Sequence, residues 1–260
     1  VTTDTESPRA WRAVLEHVER RLLDGDLLPG ERLPGERALA ADLGVGRSSV
    51  REALRVLEAM GLIRTASGSG PNAGAIIVAT PGGAMSALMR LQVAAHGFPV
   101  ADIVRTRLIL ESAVAGELAD AVPGTGADAA SGAVSAPDLD AAERLLDAMD
   151  SPDLEPAEFL ALDAAFHLAL AEASGNQVVT ATMAGLRSGI EGYALDGLAR
   201  IDDWHATSAR LRSEHRGVVE AIRAADAAAA RSRIHDHISG YYAETFPEAT
   251  PVTEATAVNA

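Results

Sequence analysis

PGERLPGERALAADLGVGRSSVREALRVLEAMGLI, residues 29–63, is the stretch that decides how the front of this chain folds. Pro29-Gly30 reads as a turn, Glu36–Leu43 carries a short apolar period of helical type, Gly44 breaks it, and a second period runs from Arg47 to Met60. Two helices joined by a tight turn are the helix-turn-helix layout. Their inward residues are Leu39, Ala40 and Leu43, then Val45 in the turn, then Val50, Ala53, Leu54 and Leu57. Arg47, Ser48, Ser49, Arg51 and Arg55 remain for the outside, so the front half of the second helix offers solvent a polar surface rich in donors.

Upstream, Trp11–Leu23 has apolar residues at 11, 14, 15, 18, 22 and 23 and ends at Asp24-Gly25, which predicts a first amphipathic helix. Downstream, Leu62-Ile63-Arg64 and Gly74–Val78 predict two short strands around the tip SGSGPNAG, a β-wing. Residues 1–9 are expected to be disordered and residues 10–80 to form a winged helix-turn-helix domain of three helices and a small wing. After Pro81-Gly82-Gly83 the apolar periods at Ala84–Ala95, Val100–Ala121, Leu139–Met149, Pro156–Ala173, Gln177–Leu198, Asp203–Ala225 and Ala227–Phe246 predict an all-α bundle over residues 81–246. PGTGADAASGAVSAP, residues 123–137, has no periodicity and is expected to be a mobile loop; residues 247–260 are expected to be a disordered tail.

Composition agrees with a mostly α fold. A hydrophobic content of 48% can fill two cores in 260 residues, and with only 3% aromatics the packing must rest on Ala, Leu and Val. The absence of cysteine excludes disulfides, thiolate metal sites and a cysteine nucleophile. Val1–Ala10 is polar and acidic, unlike a secretory leader, and no apolar run approaches the roughly 18 residues of a membrane span, so a cytoplasmic location is expected. The net charge of −15 is unevenly placed: residues 1–80 hold 10 Arg against 11 acids, and the remaining 12 Arg and 26 acids carry the other −14. Between Arg37 and Arg64 five arginines face Asp42, Glu52 and Glu58, a local +2.

A recognition helix needs long donors at its N-terminal end, because that end enters the major groove, where Arg bridges O6 and N7 of guanine. Arg47 and Arg51, one turn apart, meet that need; Ser48 and Ser49 can donate to phosphate or base edges. The bland alternative is a solvated helix face, with Arg51 paired to Glu52 or Arg55 to Glu58. The stretch quoted above resembles the winged helix of the GntR family of bacterial regulators over about Ala10 to Val78. The resemblance implies DNA contacts by Arg37, Arg47, Ser48, Ser49 and Arg51, with a wing glycine, Gly68 or Gly70, entering the minor groove. Gly35 and Gly46 stand where the family usually has Ser, at positions that cap the two helices; Gly is an acceptable N-cap.

In the second half, Asp163 and His167 lie four residues apart in a segment of helical period, so both project from one face. His215, His235 and His237 follow. Three imidazoles and a carboxylate suit a divalent metal, Zn by default, with Ni or Mn as alternatives. His235 and His237 are about 200° apart around a helix, and periodicity does not choose between them. His17, His96 and His205 read as incidental. The segments VRTRLILESAVAGELA, DAAFHLALAEASGN and EHRGVVEAIRAADAAAARSRIHDH resemble the FCD domain of the FadR subfamily within the GntR family, over about Pro81 to Phe246. That resemblance implies metal ligation by Asp163, His167, His215 and His237, and a carboxylate effector held by Arg107 and Asn176. Arg107 also has a structural reading, an i, i+4 salt bridge with Glu111.

Together these readings describe a transcriptional regulator, a repressor in output and not an enzyme, binding a pseudo-palindromic operator as a homodimer and answering to a small organic acid. A metal-dependent enzyme is the rival class, but neither an H-E-x-x-H helix nor a serine nucleophile elbow is present. A constitutive DNA-binding protein is the other rival; the helical half is larger than dimerisation alone requires.

Overall fold

A computed structural model describes residues 7–66, 74–78, 82–95, 97–123, 136–151 and 154–247. The two apolar periods of residues 36–60 are helices α2 (Glu36–Leu43) and α3 (Arg47–Ala59), and α1 (Ser7–Leu23) precedes them. Gly44 makes the turn between α2 and α3 possible. Its φ of 64° is left-handed, which spares glycine the Cβ clash, and from there its N–H caps the last carbonyls of α2. Gly35 and Gly46 both sit extended at the N-caps and supply no side-chain acceptor. Each helix start therefore forgoes the bond a Ser hydroxyl would make, a loss of a few tenths of a kcal/mol.

Val14 and Val18 of α1 are fully buried against this pair, with Leu39, Val50, Ala53 and Leu57. Leu43, Val45 and Leu54, expected inside, are half-buried at the edge of that core. Ser49 corrects the expected outward face: it is buried, because its position on α3 is one turn before Ala53 on the core side, while Arg47, Ser48, Arg51 and Arg55 are exposed. Helix α1 also begins four residues before the first apolar position, Trp11. Ser7-Pro8 is a favourable helix opening that apolar periodicity cannot register.

Strands β1 (Ile63–Ala66) and β2 (Gly74–Ile77) pair antiparallel, Ile63 opposite Ile77 and Ala66 opposite Gly74, with Ile63 and Ile77 pointing into the core. Residues 30–33 run alongside β2, with Leu33 N–H donating to Ala75 O (2.9 Å) and Ile77 N–H to Glu31 O (2.8 Å). Sequence reading saw only a turn there, because the segment between Pro29 and Pro34 is too short for alternation to show. The wing tip, with Gly68 and Gly70, lies outside the described residues.

The chain divides after Met85 into two units, Val1–Met85 and Ser86–Ala260, whereas the sequence placed the boundary at residues 80 and 81. Helix α4 (Gly82–Ala94) begins before the division. There follow α5 (Val100–Asp120), α6 (Asp140–Met149), α7 (Pro156–Ala173), α8 (Gln177–Gly197), a 3-10 turn at Leu198–Arg200, α9 (Trp204–Arg223) and α10 (Ala227–Thr245). Helix α10 packs along α5 and α9, and α7 packs against α6 and α8. One core joins them through Val104, Leu108, Phe159, Phe166, Ile222 and Ile234. Small residues set the close approaches: the side chain of Arg231 on α10 lies directly over Gly116 of α5, where a Cβ would collide with the guanidinium. Residues 124–135 of the expected loop and 248–260 of the expected tail lie outside the described residues. Among the described residues no helix is long and apolar enough to cross a membrane.

Ile222 has no exposed surface, so truncating it leaves a cavity. Ile222→Ala is expected to lower stability by about 2–5 kcal/mol, read as a shifted urea midpoint with an unchanged slope.

Candidate metal centre and nucleic-acid interface

Helix α7 starts at a capping box, Glu155 and Glu158, with Pro156 in the first turn, which anchors its register. Seven and eleven residues into it, Asp163 and His167 point into the bundle, where His215 from α9 and His237 from α10 meet them. One ligand atom from each of the four lies within 4.8 Å of all the others. His237 Nε2 is 3.2 Å from His167 Nε2 and 3.1 Å from His215 Nε2, and His215 Nε2 is 3.0 Å from Asp163 Oδ1. Tetrahedral ligation at zinc–nitrogen lengths spaces donors by roughly 3.3 Å. The three distances above are close to that spacing, while Asp163 stands 3.8 Å from His167 Nε2 and from His237 Nε2.

Tautomers sharpen the point. Glu111 Oε2 touches Nδ1 of His167, and Glu214 Oε2 lies 2.9 Å from Nδ1 of His237. Glu214 accepts from His237 Nδ1–H, which leaves Nε2 of that ring as a lone pair turned toward the other ligands. Carboxylate–imidazole pairs of this kind also support metal-binding histidines. His215 differs: its Nδ1 is buried with no hydrogen-bond partner among the described residues.

The electrostatics keep the ligands in their metal-binding forms. Burial pushes the His215 imidazole below its ordinary value and that of His237 down to about 4, the latter helped by the neighbouring His215, so both are neutral near pH 7. Burial opposes ionisation of Asp163, but the hydrogen bond to His215 and the surrounding imidazoles outweigh it and hold the carboxyl well below its usual range. Glu111 is likewise held at about 2, against its burial, by Arg107 and His167.

Beside the cluster is a small cavity lined by Arg107, Leu160, Asp163, Tyr193, His237 and Tyr241. Arg107 is buried, donates from Nε to Glu111 Oε1 (2.7 Å) and from Nη1 to the Tyr193 hydroxyl, and keeps Nη2 without a hydrogen-bond partner among the described residues. Arg107 thus makes the i, i+4 pair with Glu111 and also lines the cavity. Asn176 does not. It is exposed at the N-cap of α8, where its Oδ1 accepts from Val178 N–H and Val179 N–H, and it lines no part of the cavity. Its place before an apolar run was a capping signal that sequence reading passed over.

His235 is partly exposed and beside Asp236, on the side of α10 away from His237, which is buried. Tertiary packing decides between them. His205 is exposed and His17 half-buried in the N-terminal unit; His96 lies outside the described residues. Sequence reading missed Glu214, Tyr193 and Tyr241 and saw Glu111 only as a partner of Arg107. The adjacency of Glu214 to His215 was no signal for contact with His237 on another helix.

In the N-terminal unit Arg37, Arg47, Ser48 and Arg51 are exposed on α2 and α3. Arg51 pairs with Glu36 and not with Glu52, and Glu58 accepts from Thr65 N–H (2.8 Å) and not from Arg55.

Two family models match the chain: "Bacterial regulatory proteins, gntR family" over residues 11–71 and "FCD domain" over residues 102–240. The chain belongs to the GntR family. It joins a gntR-family regulatory domain to an FCD domain, and relatives matched along the chain are named as regulators. Among these is the "Glc operon transcriptional activator" of Escherichia coli strain K12, 30% identical over 174 residues, which are 66% of this chain and 64% of that one; the protein of that name from strain O6:H1 matches equally. The match thus spans less than two thirds of these relatives. The structure of Streptococcus agalactiae GntR superposes with a TM-score of 0.54 at 24% identity, over 88% of this chain and 96% of that one, and shares its fold.

Asp163→Ala combined with His215→Ala removes two of four ligands. Metal analysis of the purified double variant is expected to show no stoichiometric ion, against one per chain in the unaltered protein.

Proposed function

We propose that this regulator reads a pseudo-palindromic operator as a homodimer and that its helical domain holds a divalent metal, zinc by default with nickel or manganese as alternatives, beside which a small carboxylate binds as effector. The observation that carries this is the buried Asp163–His167–His215–His237 cluster opening on a cavity with an unpartnered Arg107 Nη2. Asp163, Glu111, Glu214 and Glu244 set four negative charges against Arg107 and Arg210, whose guanidinium pairs with both Glu214 and Glu244. A divalent cation would cancel that surplus of two. Arg107 Nη2, which has no hydrogen-bond partner among the described residues, can then donate to a carboxylate beside it. The metal, when bound, supplies Lewis acidity toward the effector's oxygens. The residues themselves do the rest: Glu111 and Glu214 orient His167 and His237, and Arg107 and Tyr193 position the carboxylate.

On the DNA side, Arg47 and Arg51 read guanines in the major groove, Arg37 and Ser48 hold phosphates, and Gly68 or Gly70 of the wing enters the minor groove. Ser49, being buried, serves the helix rather than the groove. Two-fold symmetry would place the half-sites about one helical turn apart, roughly 34–36 Å. Effector binding biases the relative placement of the two reading helices, and reciprocity requires DNA to alter effector affinity by the same factor. Repression is the output we assign; the name of the Escherichia coli relative, an activator, favours the opposite sign, and a reporter fused to the operator distinguishes them.

Operator affinity of the full chain, measured by fluorescence anisotropy with and without chelator and across a panel of small carboxylates, tests the whole scheme. At least one carboxylate is expected to shift affinity several-fold, only in metal-loaded protein; turnover of any carboxylate, or no response from any, would sink it. Arg107→Lys keeps the charge but loses the fork. It should retain the metal and weaken carboxylate binding at least tenfold. Arg47→Ala or Arg51→Ala should each weaken operator binding by about 1–3 kcal/mol at fixed salt.

A further inference from the structure

Glu36 is the first residue of α2, across the Gly44 turn from the start of α3. Its Oε2 accepts a hydrogen bond from Arg51 Nε at 2.9 Å and lies 3.8 Å from Arg47 Nη2. One carboxylate oxygen thus serves both arginines of the reading surface. The neighbouring acid Glu58 is engaged with Thr65 instead. The two arginine side chains are exposed, 54% for Arg51 and 61% for Arg47, and that of Glu36 is 34% exposed, so the pairing is at the surface that meets solvent.

A surface ion pair adds little to stability. Its effect here is directional. A guanidinium presents two donor edges, and with Nε of Arg51 on Glu36 the Nη1/Nη2 pair is left for another acceptor, the pair that matches guanine O6 and N7. The side chain then arrives at the groove already oriented, without ordering at the moment of contact. The carboxylate has a second effect. It puts a negative charge beside a surface that approaches phosphates, so it opposes binding that rests on charge alone.

We propose that Glu36 is a specificity-determining positioning residue: it presents Arg51, and with it Arg47, for base reading while its charge disfavours sequence-blind binding. The inference rests on the operator-reading function proposed above. It separates specific from non-specific DNA from both ends, by holding the first up and the second down.

The test uses the full-length chain with two probes, the duplex that the unaltered protein recovers from a random library and a shuffled duplex of the same length and composition. Affinities of the unaltered protein, Glu36→Gln and Glu36→Ala are compared at fixed salt. Glu36→Ala is expected to bind the selected duplex about tenfold more weakly and the shuffled one several-fold more tightly. Glu36→Gln keeps an oxygen for Arg51 Nε but no charge. It should bind the selected duplex within about threefold of the unaltered protein while also tightening on the shuffled one. If Glu36→Ala tightens on both duplexes by one factor, the residue acts only as a charge and the proposal fails. If both variants weaken on both duplexes together with a lowered melting temperature, the role is structural and the proposal fails likewise. A failure of the unaltered protein to discriminate between the duplexes would overturn the operator-reading function itself, and this inference with it.

Discussion

Three imidazoles and a carboxylate brought within reach of one another in a buried site constitute the constraint on which the helical domain is organised. Helices α7, α9 and α10 each deliver one histidine to the same point, and carboxylates on α5 and α9 stand behind two of the rings. Such an arrangement would relax by rotamer change if it were free to. It is not free, because Phe166 packs against His167 and His215 and because the rings are almost fully buried. Burial that prevents relaxation also holds the imidazoles of His215 and His237 neutral, which is the form a cation requires.

The same cluster ties the cavity to the core. Glu111 touches Arg107 with one oxygen and His167 with the other, so the group that would meet an anion and a group that would meet a cation share one buried carboxylate. Moving either partner disturbs the other. A ligand that engages Arg107 therefore acts on α5 and α7 together, which is a physical route by which a small molecule can alter the packing of a helical domain.

The N-terminal unit works on the opposite principle. Its functional groups are at the surface, held by a short turn that only a left-handed glycine closes easily and by the apolar faces of α1, α2 and α3. Glu36 is the one acid that reaches both Arg47 and Arg51 among the described residues. There, order comes from a hydrogen bond of Arg51 and a looser ion pair of Arg47 to one carboxylate in water and not from exclusion of solvent, so its consequence is orientation more than stability.

How much of this was legible in residues alone follows from range. Periodicity and glycine placement are local, and they sufficed for α2, α3 and the helices of the bundle, and for the face that carries Arg47 and Arg51. Asp163 and His167 share a helix face four residues apart, which sequence can also state. Ser49 was misread because a polar side chain on the margin of the apolar face looks outward until Ala53 and its neighbours are packed. Asn176 was misread because a cap and a ligand are the same residue type. Which of His235 and His237 turns inward, which acids stand behind the rings, and that residues 30–33 join the wing are facts about elements far apart in the chain. The amino-acid order by itself determined the elements and the residue types available to them. Only tertiary packing decided which of those residues meet, because contact between helices depends on the rotation and approach of each against its neighbours, and no local pattern carries that information.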